Sequence, residues 1–83
     1  MNKKLVAQWP DGSRKVCILS GDTDIDTQLS ELAGCESGCG LKAELWGKEI
    51  RIINYFRADT VGTIPLLSVE DTEEEPALYW SDI

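Results

Sequence analysis

The sequence predicts an α+β fold in which a small, mostly antiparallel sheet of two hairpins, in the order ββαββ with room for a C-terminal edge strand, packs against one short helix. Three observations predict it. Two β-prone runs flank a turn tetrapeptide near the N-terminus, a capping signal opens a short apolar stripe of helical spacing, and a second pair of β-prone runs flanks Gly47-Lys48.

The first hairpin rests on Leu5-Val6-Ala7-Gln8-Trp9 and Arg14-Lys15-Val16-Cys17-Ile18-Leu19, separated by Pro10-Asp11-Gly12-Ser13. Pro presets φ, Asp hydrogen-bonds its local backbone and Gly accepts a positive φ, so these residues suit a tight reversal. Thr23-Asp24-Ile25-Asp26 fits a capping box, with Thr23 as N-cap and Asp26 reaching back to it. Ile25, Leu29, Leu32 and Ala33 then fall on one helical face, and Gly34 is placed to end the helix.

The second hairpin joins residues 41–46 to residues 49–56. A two-residue turn at Gly47-Lys48 sets Leu45 opposite Ile50, Ala43 opposite Ile52 and Glu44 opposite Arg51. That register leaves Ile53 and Tyr55 on the polar face. Residues 57–63 read as loop and residues 64–69 as a strand that Pro65 confines to an edge or a bulge. On this reading residues 1–69 form the compact domain, and residues 70–83 are an acidic and aromatic C-terminal segment.

Eighty-three residues allow one domain, and so short a chain has little room for a deep substrate cavity. A composition of 42% hydrophobic and 28% charged residues argues against wholesale disorder. The opening residues do not form a signal peptide, since the apolar character of Leu5-Val6 gives way at once to Gln8, Trp9 and Pro10. The expectation is a cytoplasmic protein with reduced thiols.

The net charge of −7 disfavours direct contact with nucleic acid or an anionic membrane, because both are polyanions. Its distribution is uneven. Bases and acids balance over residues 1–58, whereas residues 59–83 contain Asp59, Glu70, Asp71, Glu73, Glu74, Glu75 and Asp82 and no base. This asymmetry is the strongest functional signal in the chain.

The chain contains no His, so the commonest general base, nucleophile activator and zinc ligand are missing. Cys35-Glu36-Ser37-Gly38-Cys39 is a C-x3-C cluster that, with Cys17, offers three thiolates to a metal or a redox couple. A structural zinc site wants four ligands, however, and a cysteine pair following a helix C-terminus meets the dipole end that raises a thiol pKa. The simpler reading makes Cys17 a buried strand residue and Cys35 and Cys39 small loop residues. Asp22, Asp24 and Asp26 have the spacing that opens a calcium loop, but Thr27 stands where that loop needs Gly and Ala33 where it needs Glu. The glycines around residues 34–40 lack the Lys-Ser/Thr ending of a phosphate loop.

No enzyme and no cofactor is therefore expected. The sequence points to a small regulator or inhibitor that binds a basic protein surface through Glu70, Asp71, Glu73, Glu74, Glu75, Tyr79 and Trp80. Its concrete form is a nucleic-acid mimic that occupies the binding cleft of a nucleic-acid-binding protein, as small phage and mobile-element inhibitors do. The alternatives are a thiol or metal module using Cys17, Cys35 and Cys39, and a self-associating domain that forms a homodimer.

Overall fold

The computed structural model describes residues 1–33 and 40–83. The first hairpin forms as its turn residues dictate. Strands β1 (Asn2–Gln8) and β2 (Arg14–Leu19) pair antiparallel, with Leu5 opposite Cys17. Between them the Trp9 N–H donates to Ser13 O at 2.8 Å and the Gly12 N–H to Trp9 O at 2.9 Å, while Gly12 takes φ +89°. The Asp11 carboxylate accepts from the Ser13 N–H at 2.9 Å and from its hydroxyl at 2.6 Å. Alternation then turns Leu5, Ala7, Cys17 and Leu19 to one face, where all four are buried.

Helix α1 (Ile25–Leu32) begins one residue later than the capping-box reading placed it. Asp24, not Thr23, is the N-cap, and its carboxylate accepts from the Thr27 N–H at 2.9 Å. Asp26 does not reach back to the cap. Its carboxylate instead accepts from the Leu45 N–H at 3.0 Å, across to the next strand. The expected apolar stripe is present, with Leu29 buried and Ile25, Leu32 and Ala33 packed against the core.

Strands β3 (Leu41–Trp46) and β4 (Glu49–Asn54) pair in the expected register, with Leu45 opposite Ile50, Ala43 opposite Ile52 and Glu44 opposite Arg51. Gly47 supplies the positive φ (+65°) of the turn. Tyr55 lies beyond the strand, where its N–H donates to Gly40 O.

The largest departure from expectation is β5 (Asp59–Thr72), a fourteen-residue strand in the interior of the sheet that includes residues read as loop and residues read as acidic tail. Its first half pairs with β4 and its second half with β1, with register shifts near Val61 and Leu67. The Leu66 N–H donates to Lys48 O at 2.8 Å, so alternation turns the Pro65 nitrogen to the opposite edge, where the β1 ladder has already ended at Ala7. Pro65 thus sits at the handover between two partner strands and costs no ladder bond. Strand β6 (Ala77–Asp82) then pairs antiparallel with β2.

The six strands among the described residues run in the order β3-β4-β5-β1-β2-β6, one more strand than the two hairpins and an edge require. Laid flat, strands at roughly 4.8 Å spacing would hold β3 and β6 about 24 Å apart. Helix α1 nevertheless lies along β3 and also touches β6. The sheet must therefore curl, and the helix bridges its two edges. The core of Leu5, Ala7, Cys17, Leu19, Leu29, Ala43, Ile50 and Leu66 fills the concave side.

Polar side chains lock the helix in place. Ser30 Oγ accepts from the Ala43 N–H at 2.9 Å, so Asp26 and Ser30, one helical turn apart, satisfy Leu45 and Ala43, two residues apart on β3. About 6 Å of helical rise matches about 6.7 Å of strand, which lets side chains stand in for a neighbouring strand. At the other end, buried Gln28 clasps the chain leaving β2. The Ser20 N–H donates to its Oε1 at 2.8 Å, and its Nε2 donates to Ser20 O at 2.9 Å and Thr23 O at 3.1 Å. Among the described residues no helix is long and apolar enough to cross a membrane.

Candidate functional site

The acids that the sequence singled out are spread along the end of β5 and the turn into β6, and folding pairs several of them with bases of the first hairpin. Asp71 lies opposite Lys3 and accepts a charge-assisted hydrogen bond from it. That bond, with the nearby ammonium charge, holds the Asp71 carboxyl below the usual carboxylate range. Glu74 pairs with Lys4 at 3.4 Å, and Asp82 with Lys15 at 3.7 Å. The basic residues of β1 and β2 are thus neighbours of the acidic ones in β5 and β6, and part of the charge asymmetry in the sequence closes on itself.

What remains is gathered at one end of the sheet. The Asn2 side chain ties two loops together there: its Nδ2 donates to Glu74 O at 2.8 Å, and its Oδ1 accepts from the Gly21 N–H at 3.1 Å. Gly21 is required at this junction, since a Cβ would lie 2.0 Å from Met1 O. The β2–α1 loop brings exposed Asp22 and Asp24, and the β5–β6 turn brings exposed Glu73 and Glu75. Among the described residues none of these four, nor Glu70, has an ion pair, although Asp24 is engaged as the helix cap. By sequence, Asp22 and Asp24 read as part of an incomplete calcium-loop spacing and as acids at the start of the helix. Nothing local marks them as neighbours of residues fifty positions away.

The aromatic residues divide. Trp80 is packed inward, its ring edge-to-face on Trp9 at 5.0 Å between centroids, and it belongs to the rim of the core. Tyr79 remains 62% exposed, and Leu78 beside it is also exposed. Just past the end of β4, Tyr55 and Phe56 form an exposed aromatic pair, edge-to-face at 5.7 Å. The Asn54 carboxamide fixes that turn by accepting from the Phe56 and Arg57 N–H groups at 3.0 and 3.1 Å. By sequence Tyr55 reads only as an apolar residue on a polar face, and the Asn-initiated turn is the signal that points to the pair.

Cys17 is buried in the core, and burial pushes its thiol up to about 12. A buried thiol of this kind is a weak nucleophile and packs as a small apolar residue. Cys35 and Cys39 lie outside the described residues. Among the described residues no three His, Cys, Asp or Glu side chains are grouped to hold a metal ion. Comparison with protein-family models, with curated proteins and with solved structures finds no match for this chain.

Proposed function

We propose that this chain is a small, non-enzymatic binding protein of the cytoplasm that regulates or inhibits a partner by docking its acidic side on a basic protein surface. The observation that supports this is the convergence of Asp22, Asp24, Glu73 and Glu75 at one end of the sheet, with Glu70 on the neighbouring strand and no base paired to any of them among the described residues. Charge of one sign concentrated on one side accelerates encounter with an opposite surface and selects against acidic partners. Exposed Leu78 and Tyr79 on β6 add apolar contact. The most basic surfaces a cytoplasmic protein offers are clefts that hold nucleic acid, which makes a nucleic-acid-binding protein the partner of choice and nucleic acid the competitor.

The test is a pull-down from cell lysate at low and raised salt, comparing the intact chain with a variant carrying Asp22→Asn, Glu73→Gln and Glu75→Gln. A truncation after Val69 is unsuitable, because it removes β6 and takes Trp80 from the core. A basic partner that is lost both with salt and with the three neutral substitutions is the expected result. Retention of the same partner by the variant would move the binding surface elsewhere.

A further inference from the structure

The β3–β4 hairpin is shorter than the strand it pairs with. Its turn at Gly47-Lys48 is level with Leu66, and β5 runs on to Thr72 with β1 on one side only. Among the described residues, residues 67–72 therefore present an edge without a strand partner in the middle of the sheet, beyond the end of β4. Alternation identifies the groups on it. Because the Leu66 N–H points toward β4, Ala7 and Leu66 form a pair without mutual hydrogen bonds, so Val6 and Ser68 form the bonded one and Val69 and Asp71 turn their N–H and C=O groups to the vacated edge.

A groove of about 340 Å³ runs along this edge. Leu45, Leu66, Leu67 and Val69 contribute its apolar lining, and Lys48 and Glu70 line it as well. Leu67 and Val69 are 47% and 40% exposed, although both lie within a strand interior to the sheet order.

We propose that this edge of β5 receives an extended, basic segment of a partner protein as an added strand. The inference deepens the binding reading above and rests on it for the sign of the partner's charge. Strand addition uses what is present: open main-chain groups at Val69 and Asp71 for affinity, and apolar lining beside them for alternate side chains. Charge selects the occupant. Glu70 borders the groove without an ion pair among the described residues, and Glu73 and Glu75 continue the acidic side beyond it. A second copy of this chain would bring its own Glu70 and Asp71 to the same edge and a net charge of −7 with them, whereas lysine or arginine side chains of a partner find carboxylates there.

The probe is a short synthetic peptide alternating lysine and valine, compared with the same peptide methylated on alternate backbone nitrogens, which keeps its charge but cannot join a ladder. Binding is followed by amide chemical shifts of the intact protein. The expected result is shifts centred on Val69 and Asp71 and affinity about tenfold or more weaker for the methylated peptide, the loss of roughly 1.4 kcal/mol of main-chain bonding. Val69→Pro should weaken the unmethylated peptide similarly, because its missing N–H faces the open edge and leaves the β1 ladder intact. If that variant does not fold, the methylated peptide carries the test alone. Equal affinity for both peptides would overturn strand addition while leaving the acidic surface standing. Shifts at Val69 and Asp71 that persist undiminished in high salt would support strand addition and remove the charge-based reading. No binding by either peptide, or a homodimer in sedimentation that Val69→Pro dissolves, overturns the proposal.

Discussion

Gln28 is the polar side chain on which the junction between helix and sheet depends, and replacing it with Leu tests that dependence at nearly constant volume. The substitution removes the acceptor of the Ser20 N–H and the donor to Ser20 O and Thr23 O. A buried backbone group left without a partner costs about 1–3 kcal/mol. Thr23 is exposed and Ser20 only half-buried, so water can reach part of what is lost, and Leu at this position gains some apolar burial. The expected net loss is roughly 2–3 kcal/mol, read from urea unfolding, or about 10–20 °C in Tm for a domain of this size. Gln28→Glu separates hydrogen bonding from packing. A carboxylate there still accepts from Ser20 but faces two carbonyl oxygens, which raises its folded pKa above the unfolded value of about 4.3. Its contribution is then present below that value and lost as pH rises through the folded pKa, so the deficit against wild type should be smallest in acid. A loss under about 0.5 kcal/mol for Gln28→Leu, or a Gln28→Glu deficit independent of pH, would refute this account of the junction.

Three further outcomes follow from the same geometry. Trp80→Ala removes the ring packed on Trp9 and should cost roughly 2–3 kcal/mol, less than a fully buried Trp because Trp80 is only half-buried; a loss below about 1 kcal/mol would mean that β6 is not anchored by it. Ser30→Ala leaves the Ala43 N–H on the β3 edge unsatisfied, with an expected loss of about 1–2 kcal/mol and faster hydrogen exchange at Ala43, and unchanged exchange there would show that the helix does not protect the edge. Asp71 and Asp11 both have folded pKa values below the ordinary one, through Lys3 and Ser13 respectively, so their stabilisation is present above about pH 4 and is lost as pH falls through the folded values. Urea midpoints measured from neutral pH into acid should fall less steeply in Lys3→Met than in wild type, and parallel curves would remove Lys3 from the account.

How much of this was legible in the sequence depended on the range of the interactions involved. Both hairpin turns could be read, and the second hairpin's register with them, because Gly12 and Gly47 must take positive φ and a two-residue turn then sets the partners. The helix could be read because its stripe is contained within nine residues. Strand β5 could not. Gly62 and Pro65 are breakers by local rules, and Glu70 and Asp71 look too polar for a sheet, yet each is accommodated by something distant. Pro65 falls where β4 and β1 exchange places along the strand, and Glu70 and Asp71 stand opposite Lys4 and Lys3. The same limit applies to the candidate site. Trp80 reads as a docking aromatic until Trp9 is seen beneath it, and Asp22 reads as a helix-start residue until Asn2 ties its loop to Glu74.

The redistribution of charge on folding changes what an acidic C-terminus means for function. As a linear feature, residues 70–75 resemble a solvated tail. In the folded chain Asp71, Glu74 and Asp82 are engaged in ion pairs with Lys3, Lys4 and Lys15, while Glu70 is held on β5 and, in the β5–β6 turn, Glu73 and Glu75 flank Glu74, whose carbonyl Asn2 holds. Carboxylates fixed in this way lose less entropy on docking than those of a flexible tail, which favours selectivity for a particular basic surface over general attraction to cations. The edge of β5 that is open among the described residues sits beside that charged side, so the basic partner proposed above would arrive where main-chain groups can bind it. Neutralising Glu73 and Glu75 should then slow association with little effect on dissociation, whereas Val69→Pro should speed dissociation and leave association nearly unchanged, a division that stopped-flow mixing with the lysine–valine peptide can read directly.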